Sequence, residues 1–237
     1  MLNCDSEKGL CSLNVASSIN DIKIQEDELA IVYVGDPMCS WCWGLSPILK
    51  QVQEFCTENK IKFNIMLGGL RLGGGDLWND EFKSFLKNEW LHINSVTGQK
   101  FVLDLFEKDY FNYDTEPACK AIFVVKNLLN LKNDNNKTAL EFFSSVQKKF
   151  YTKGEDSTQI VFYKSICEEF DISFDEFSFY FNLDKTKDEL YREIHSLKQL
   201  MVRGMPTLIL LKNGTKFDIS TGYKSYESIM ENIKKHI

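Results

Sequence analysis

The chain has 237 residues, 43% of them hydrophobic and 26% charged, with a formal net charge of −6. That length suits one large domain, or one domain carrying an insertion, and the balance permits a full core. The negative charge argues against a nucleic-acid partner, which would call for a basic face. No run approaches the roughly 18 consecutive apolar residues of a membrane span, so no membrane partner is expected. The N-terminus lacks the basic-then-apolar order of a secretory signal, and the expected compartment is the cytoplasm.

Residues 1–27 are polar and without periodicity, and read as a loosely docked tail. Ala30-Ile31-Val32-Tyr33-Val34 is a short apolar run, rich in β-branched residues and ended by Gly35-Asp36-Pro37, which predicts a buried strand. From Ser40 to about Asn59, residues Leu45, Ile48, Leu49, Val52 and Phe55 recur at helical spacing, and residues 62–67 then alternate as a second strand up to Gly68-Gly69. A strand–helix–strand unit of this kind closes as a right-handed crossover between parallel strands. Residues 28–75 therefore form the first part of the domain.

Residues 76–185 are helical in periodicity almost throughout, with breaks near Gly98, Asp114-Thr115, Asn133-Asp134-Asn135, Gly154 and Asp171. Ser173 with Glu176 has the spacing of a capping box. Thr186 with Glu189 would start another helix running to Gly204, at the place of a left-handed C-terminal glycine. Strand character returns in residues 207–211, and Asn213-Gly214 followed by residues 215–219 signals a hairpin. An amphipathic helix closes the chain, so residues 186–237 form the second part.

The chemistry-bearing motif is Asp36-Pro37-Met38-Cys39-Ser40-Trp41-Cys42-Trp43-Gly44. Its cysteines lie where a strand hands over to a helix, and positions i and i+3 of a first turn share a face. Cys39 would sit among unpaired N–H groups at the positive end of the helix dipole. Both effects favour the thiolate, which is the attacking species. Cys42, one turn inside, suits resolution of a mixed disulfide. A zinc half-site is the competing reading, but zinc needs a second ligand pair. Cys4, Cys11, Cys56, Cys119 and Cys167 offer none, and His92, His195 and His236 are scattered. No metal is therefore expected. Cys56 and Cys167 read as packing residues.

Pro47 lies inside the helix after Cys42, where it should introduce a kink. Gly204-Met205-Pro206-Thr207 directly precedes the late strand. With these features the chain resembles the thioredoxin-like superfamily, in which a kinked helix follows the C-x-x-C motif and a cis-proline loop faces it. The intervening helical block resembles the insertion of the DsbA-like class. The fold class is thus α/β, a thioredoxin-like fold with a large all-helical insertion. The run from Asp36 to Gly44, Leu67-Gly68-Gly69-Leu70-Arg71, Asp114-Thr115-Glu116-Pro117-Ala118-Cys119 and Gly204-Met205-Pro206-Thr207 resemble the FrnE-related branch of predicted protein-disulfide isomerases.

The resemblance implies that Cys39 is the nucleophile, Cys42 the resolving thiol and Pro206 a cis-proline. It leaves the Met205 backbone available to pair with an extended substrate. Substrate proteins or peptides carrying thiols or disulfides, and a redox recycling partner, are the implied partners. No cofactor is implied, although glutathione is a candidate co-substrate. Ser40-Trp41 replaces the Pro-His dipeptide of the class's namesake, which leaves the redox direction open.

Met38 and Trp41 would form an apolar rim for binding substrate, and Trp43 suits rim or core. Asp36 could tune Cys39, but the simpler reading is a turn residue bonding nearby amides. Thr115 lies at a helix start expected close to the site. Arg71 could hold an anion such as a glutathione carboxylate, and Cys119 reads as buried. Cys4 and Cys11 could form a second redox pair passing electrons to Cys39–Cys42, but the simpler reading is spectators in the tail. Two other functions compete. Kappa-class glutathione transferases and 2-hydroxychromene-2-carboxylate isomerases resemble this architecture but characteristically carry serine in place of the first cysteine. The other competitor is a non-catalytic binding or metal module.

Overall fold

The computed structural model describes residues 4–12, 29–129 and 134–237, with side chains of residues 4, 12 and 127–129 excluded. A short β1 (Cys4–Asp5) and β2 (Leu10–Ser12) come first. They are followed by β3 (Ala30–Gly35), α1 (Ser40–Glu58) and β4 (Lys62–Leu67). The helical block comprises α2 (Asp80–Thr97), α3 (Glu116–Leu129), α4 (Lys137–Lys153), α5 (Lys164–Glu169), α6 (Phe174–Phe181) and α7 (Asp184–Ser196). The chain closes with β5 (Gly204–Met205), β6 (Thr207–Lys212), β7 (Thr215–Thr221) and α8 (Tyr226–Lys234).

The main sheet has the order β4-β3-β6-β7, with β3 parallel to β4 and antiparallel to β6. All six residues of β3 are buried, as the apolar run requires of a central strand. β4 alternates, burying Phe63, Ile65 and Leu67. The β6–β7 hairpin turns at Asn213-Gly214, both at positive φ, as a tight antiparallel connection demands. Ser173 caps α6 by accepting the Glu176 amide, and Gly98 and Gly154 end α2 and α4 in the left-handed region.

Two sequence expectations fail here. The seventh helix stops at Ser196, so Gly204 is a strand residue and Thr186 lies inside the helix. Nor is all of the N-terminal region a loose tail. β1 and β2 pair as a hairpin, and β2 pairs in turn with β5 to make a separate sheet of order β1-β2-β5. Long-range pairing overrode the lack of periodicity, because two- and three-residue strands carry no period to read. Residues 1–3 and 13–28 lie outside the described residues.

Aromatic packing keys the helical block to α1. Trp90 of α2 contacts Phe101, Phe106, Phe150 and Tyr151 at centroid distances of 4.9 to 6.0 Å, and Trp43 of α1 stacks on Tyr151 at 6.1 Å. Trp43 is therefore core, with its Nε1 donating to the Lys100 carbonyl at 3.1 Å. Trp90→Ala should cost about 3–5 kcal/mol, read as a lower urea midpoint at unchanged slope. A loss below about 1 kcal/mol would mean that the cluster does not hold the block in place.

Candidate active site

Cys39 is the N-cap of α1, with φ −82° and ψ 116°, and Cys42 lies in the first turn. The Gly35-Asp36-Pro37 break brings the chain off the central strand, and the Cys39 amide donates to the Asp36 carbonyl at 3.0 Å to close the turn. Both cysteines are buried thiols. Burial alone would push the Cys39 thiol up. Hydrogen bonds from the Cys11 and Cys42 thiols and from the Cys42 and Trp41 amides outweigh it and hold Cys39 well below the ordinary thiol value. For Cys42, burial, its bond to the Cys39 sulfur and the charge there act together, and it is pushed well above that value. The Tyr33 hydroxyl lies against Cys42.

The Met205–Pro206 bond is cis, and the Cys39 Sγ lies 3.9 Å from the Met205 carbonyl oxygen. Gly68 makes room for this loop, since a Cβ there would fall 1.8 Å from the Met205 sulfur. Met205 was expected to offer a free backbone edge. Instead, β2 occupies it, with Cys11 directly opposite Met205. Met38 and Trp41 were expected at an exposed rim but are buried, at 1% and 2% exposure. Trp41 packs with His92 and Tyr223, beneath Gly9 of the hairpin turn. The hairpin covers Trp41, and the helical block covers Met38. Cys39 itself is 0% exposed, so its position at the helix start does not make it accessible.

Asp36 follows the simpler reading. Its carboxylate accepts the Met38 amide at 2.8 Å and the Leu70 amide at 2.7 Å. Cys119, buried as expected, donates to it at 3.3 Å. Thr115 exchanges hydrogen bonds with the Arg71 backbone, accepting its amide through Oγ1 and donating its own amide to the carbonyl. The Arg71 guanidinium is committed to Asp76 and the Tyr113 carbonyl and is nearly buried, which removes it as an anion site. Sequence reasoning missed two groups from the helical block that hold Met38. The Tyr113 hydroxyl donates to its carbonyl at 2.8 Å, and the Ser157 hydroxyl lies 3.1 Å from its sulfur. It also set Cys11 aside, because a register with Met205 across nearly the whole chain leaves no local signal. Among the described residues, no three His, Cys, Asp or Glu side chains converge to hold a metal ion, and no helix is long and apolar enough to cross a membrane.

No protein-family model matches the chain. Its structure is similar to that of a candidate protein disulfide isomerase from Nitrosomonas europaea, with TM-score 0.74 and 24% identity over 88% of this chain and 97% of that one. It is also similar to the cytosolic disulfide reductase DsbM from Pseudomonas aeruginosa, at TM-score 0.69 and 20% identity over 87% and 97% of the two chains. That reductase has also been solved with GSH. These likenesses show the fold: the chain has a thioredoxin-like fold with a DsbA-like helical insertion. In sequence, 121 residues are 30% identical to the ClpXP adapter protein SpxH of Halalkalibacterium halodurans, a match covering 49% of this chain and 39% of that relative.

Burial pushes the Asp36 carboxyl up to about 6 from an ordinary 3.8, against the opposing amide bonds. Between those values the folded chain holds a proton that the unfolded chain has lost, so stability falls as pH rises through that window. The drop is on the order of 3 kcal/mol. Urea unfolding from pH 3.5 to 7 should show this slope in the wild type and not in Asp36→Asn. An equal slope in both would remove Asp36 as its source.

Proposed function

We propose that this chain catalyses thiol–disulfide exchange on proteins or peptides, with Cys39 attacking and Cys42 resolving. The observation that carries this reading is the meeting of three features in one buried site. These are a C-x-x-C pair on the first turn of α1, a cis-proline loop whose Met205 carbonyl lies 3.9 Å from the Cys39 sulfur, and amides directed at that sulfur. The Cys39 thiolate attacks a substrate disulfide, forming a mixed disulfide and releasing the substrate's other sulfur as thiolate. Cys42 then attacks Cys39, which releases the reduced substrate and leaves the Cys39–Cys42 disulfide. The reverse sequence oxidises a dithiol substrate.

Pro206 shapes the loop that faces the pair, and Met205 supplies the backbone edge for an extended substrate. Trp41 would line that substrate's path once the hairpin is displaced, with Met38 beside it against the helical block, while Asp36 and Thr115 hold the turns around the pair. Glutathione is the proposed small-molecule recycling thiol. The DsbM structure with GSH supports this, and a reducing cytoplasm is the compartment proposed for such recycling. The serine that marks the related small-molecule enzymes is not present, because Cys39 stands in that place. A second reading, a protein-binding adapter without exchange chemistry, draws support from the match to the ClpXP adapter.

Cys42→Ala should accumulate reductant-sensitive adducts with cellular proteins, visible on non-reducing gels, whereas Cys39→Ala should accumulate almost none. Both should fail to reduce insulin. Equal trapping by the two variants would contradict the assigned roles. An insulin-inactive wild type that traps nothing, yet still binds protein partners when both cysteines are replaced, would favour the adapter.

A further inference from the structure

The feature that the exchange reading leaves unused is the β1–β2 hairpin. It is seated from several sides. β2 pairs antiparallel with β5, placing Cys11 opposite Met205 and Ser12 opposite Gly204. The Tyr223 amide donates to the Gly9 carbonyl at 3.0 Å, and the Ser6 hydroxyl donates to the buried carboxylate of Glu89 on α2. Three glycines permit the fit. A Cβ on Gly204 would fall 2.5 Å from the Cys11 carbonyl oxygen, one on Gly222 would fall 2.1 Å from the Lys8 carbonyl oxygen, and one on Gly9 would meet Tyr223 at 2.8 Å.

The strand paired to Met205 reaches the active site, where the side chain opposite Met205 hydrogen-bonds the Cys39 sulfur. The residue it brings is a cysteine, 1% exposed. Closure leaves one cost in place. The Trp41 Nε1 is buried with no hydrogen-bond acceptor, a loss on the general scale of a buried unsatisfied donor. The hairpin itself has only two paired positions between its strands, and such short hairpins are marginal alone. A competing strand could therefore displace it.

We infer that Cys11 is a third redox thiol of this site, carried on a built-in strand that occupies the place of an extended substrate on Met205 and forms a disulfide with Cys39. This rests on the exchange function proposed above. In the oxidised enzyme, left by a substrate disulfide, the Cys11 thiolate attacks the Cys39 sulfur. The Cys11–Cys39 bond forms, the Cys39–Cys42 bond breaks, and Cys42 leaves as a thiolate that takes up the proton Cys11 has lost. One disulfide replaces another without an external oxidant. The product has the hairpin covalently latched over the pair, and attack by Cys42 on Cys39 reopens it.

Reduced full-length Cys42→Ala, treated with oxidised glutathione, alkylated and digested without reduction, tests the latch by mass spectrometry. Most Cys39 should be recovered linked to Cys11, and in Cys11→Ser/Cys42→Ala it should be recovered as the glutathione adduct. Cys4→Ser/Cys42→Ala should keep the Cys11–Cys39 link. Gly204→Ala, which crowds the Cys11 carbonyl while leaving every sulfur in place, should speed iodoacetamide labelling of Cys39 about tenfold, as local opening becomes easier. Recovery of Cys39 in Cys42→Ala only as the glutathione adduct would overturn the latch and leave the exchange reading intact. Recovery of Cys39 with neither partner would overturn both. An unchanged labelling rate in Gly204→Ala would overturn the hairpin as the cover.

Discussion

A sulfur that must carry charge while buried sets the terms for the rest of this molecule. Cys39 has no solvent to stabilise its thiolate, so the protein must supply donors, and it does so from the unpaired amides of the first turn of α1 and from two neighbouring thiols. The central strand β3 delivers the chain to that point, and the Asp36 turn fixes the helix start. Gly68 clears the space that lets the Met205–Pro206 loop close over the pair. Each element is placed by backbone geometry, so the site is held by strands and turns more than by long side chains.

The helical insertion is part of this arrangement. Tyr113 and Ser157 hold Met38 from above the pair, Thr115 and Arg71 tie the start of α3 to the glycine-rich loop, and Trp43 stacks on Tyr151. The block therefore fixes Met38, the residue before Cys39, and the first helix together. Its aromatic packing gives the site rigidity that a short strand–helix unit would lack.

Much of this was legible in the residues. β3, α1, β4 and the β6–β7 hairpin each carry a local signal, namely an apolar run, a helical period, an alternation and an Asn-Gly turn, and all four stand where those signals put them. The placing of Cys39 and Cys42 on the first turn of α1 and the cis bond before Pro206 were legible from their spacing and neighbours. Gly204 was misread as a helix cap because a glycine after a helical run looks the same whether it serves φ or close approach. Here it serves close approach to Cys11. The covering of Trp41 by Gly9 and the placing of Cys11 opposite Met205 depend on a pairing between the two ends of the chain. No local pattern encodes that pairing.

Attack by Cys39 requires that its thiol lie well below the free value despite complete burial. Thiolate absorbance in the far ultraviolet, followed against pH in Cys42→Ser and corrected with Cys39→Ser/Cys42→Ser, measures this directly. The midpoint should lie clearly below the free-thiol value of about 8.5, and Cys11→Ser added to Cys42→Ser should raise it. A midpoint at or above the free-thiol value would mean that burial wins over the donors, and Cys39 could not be the attacking group.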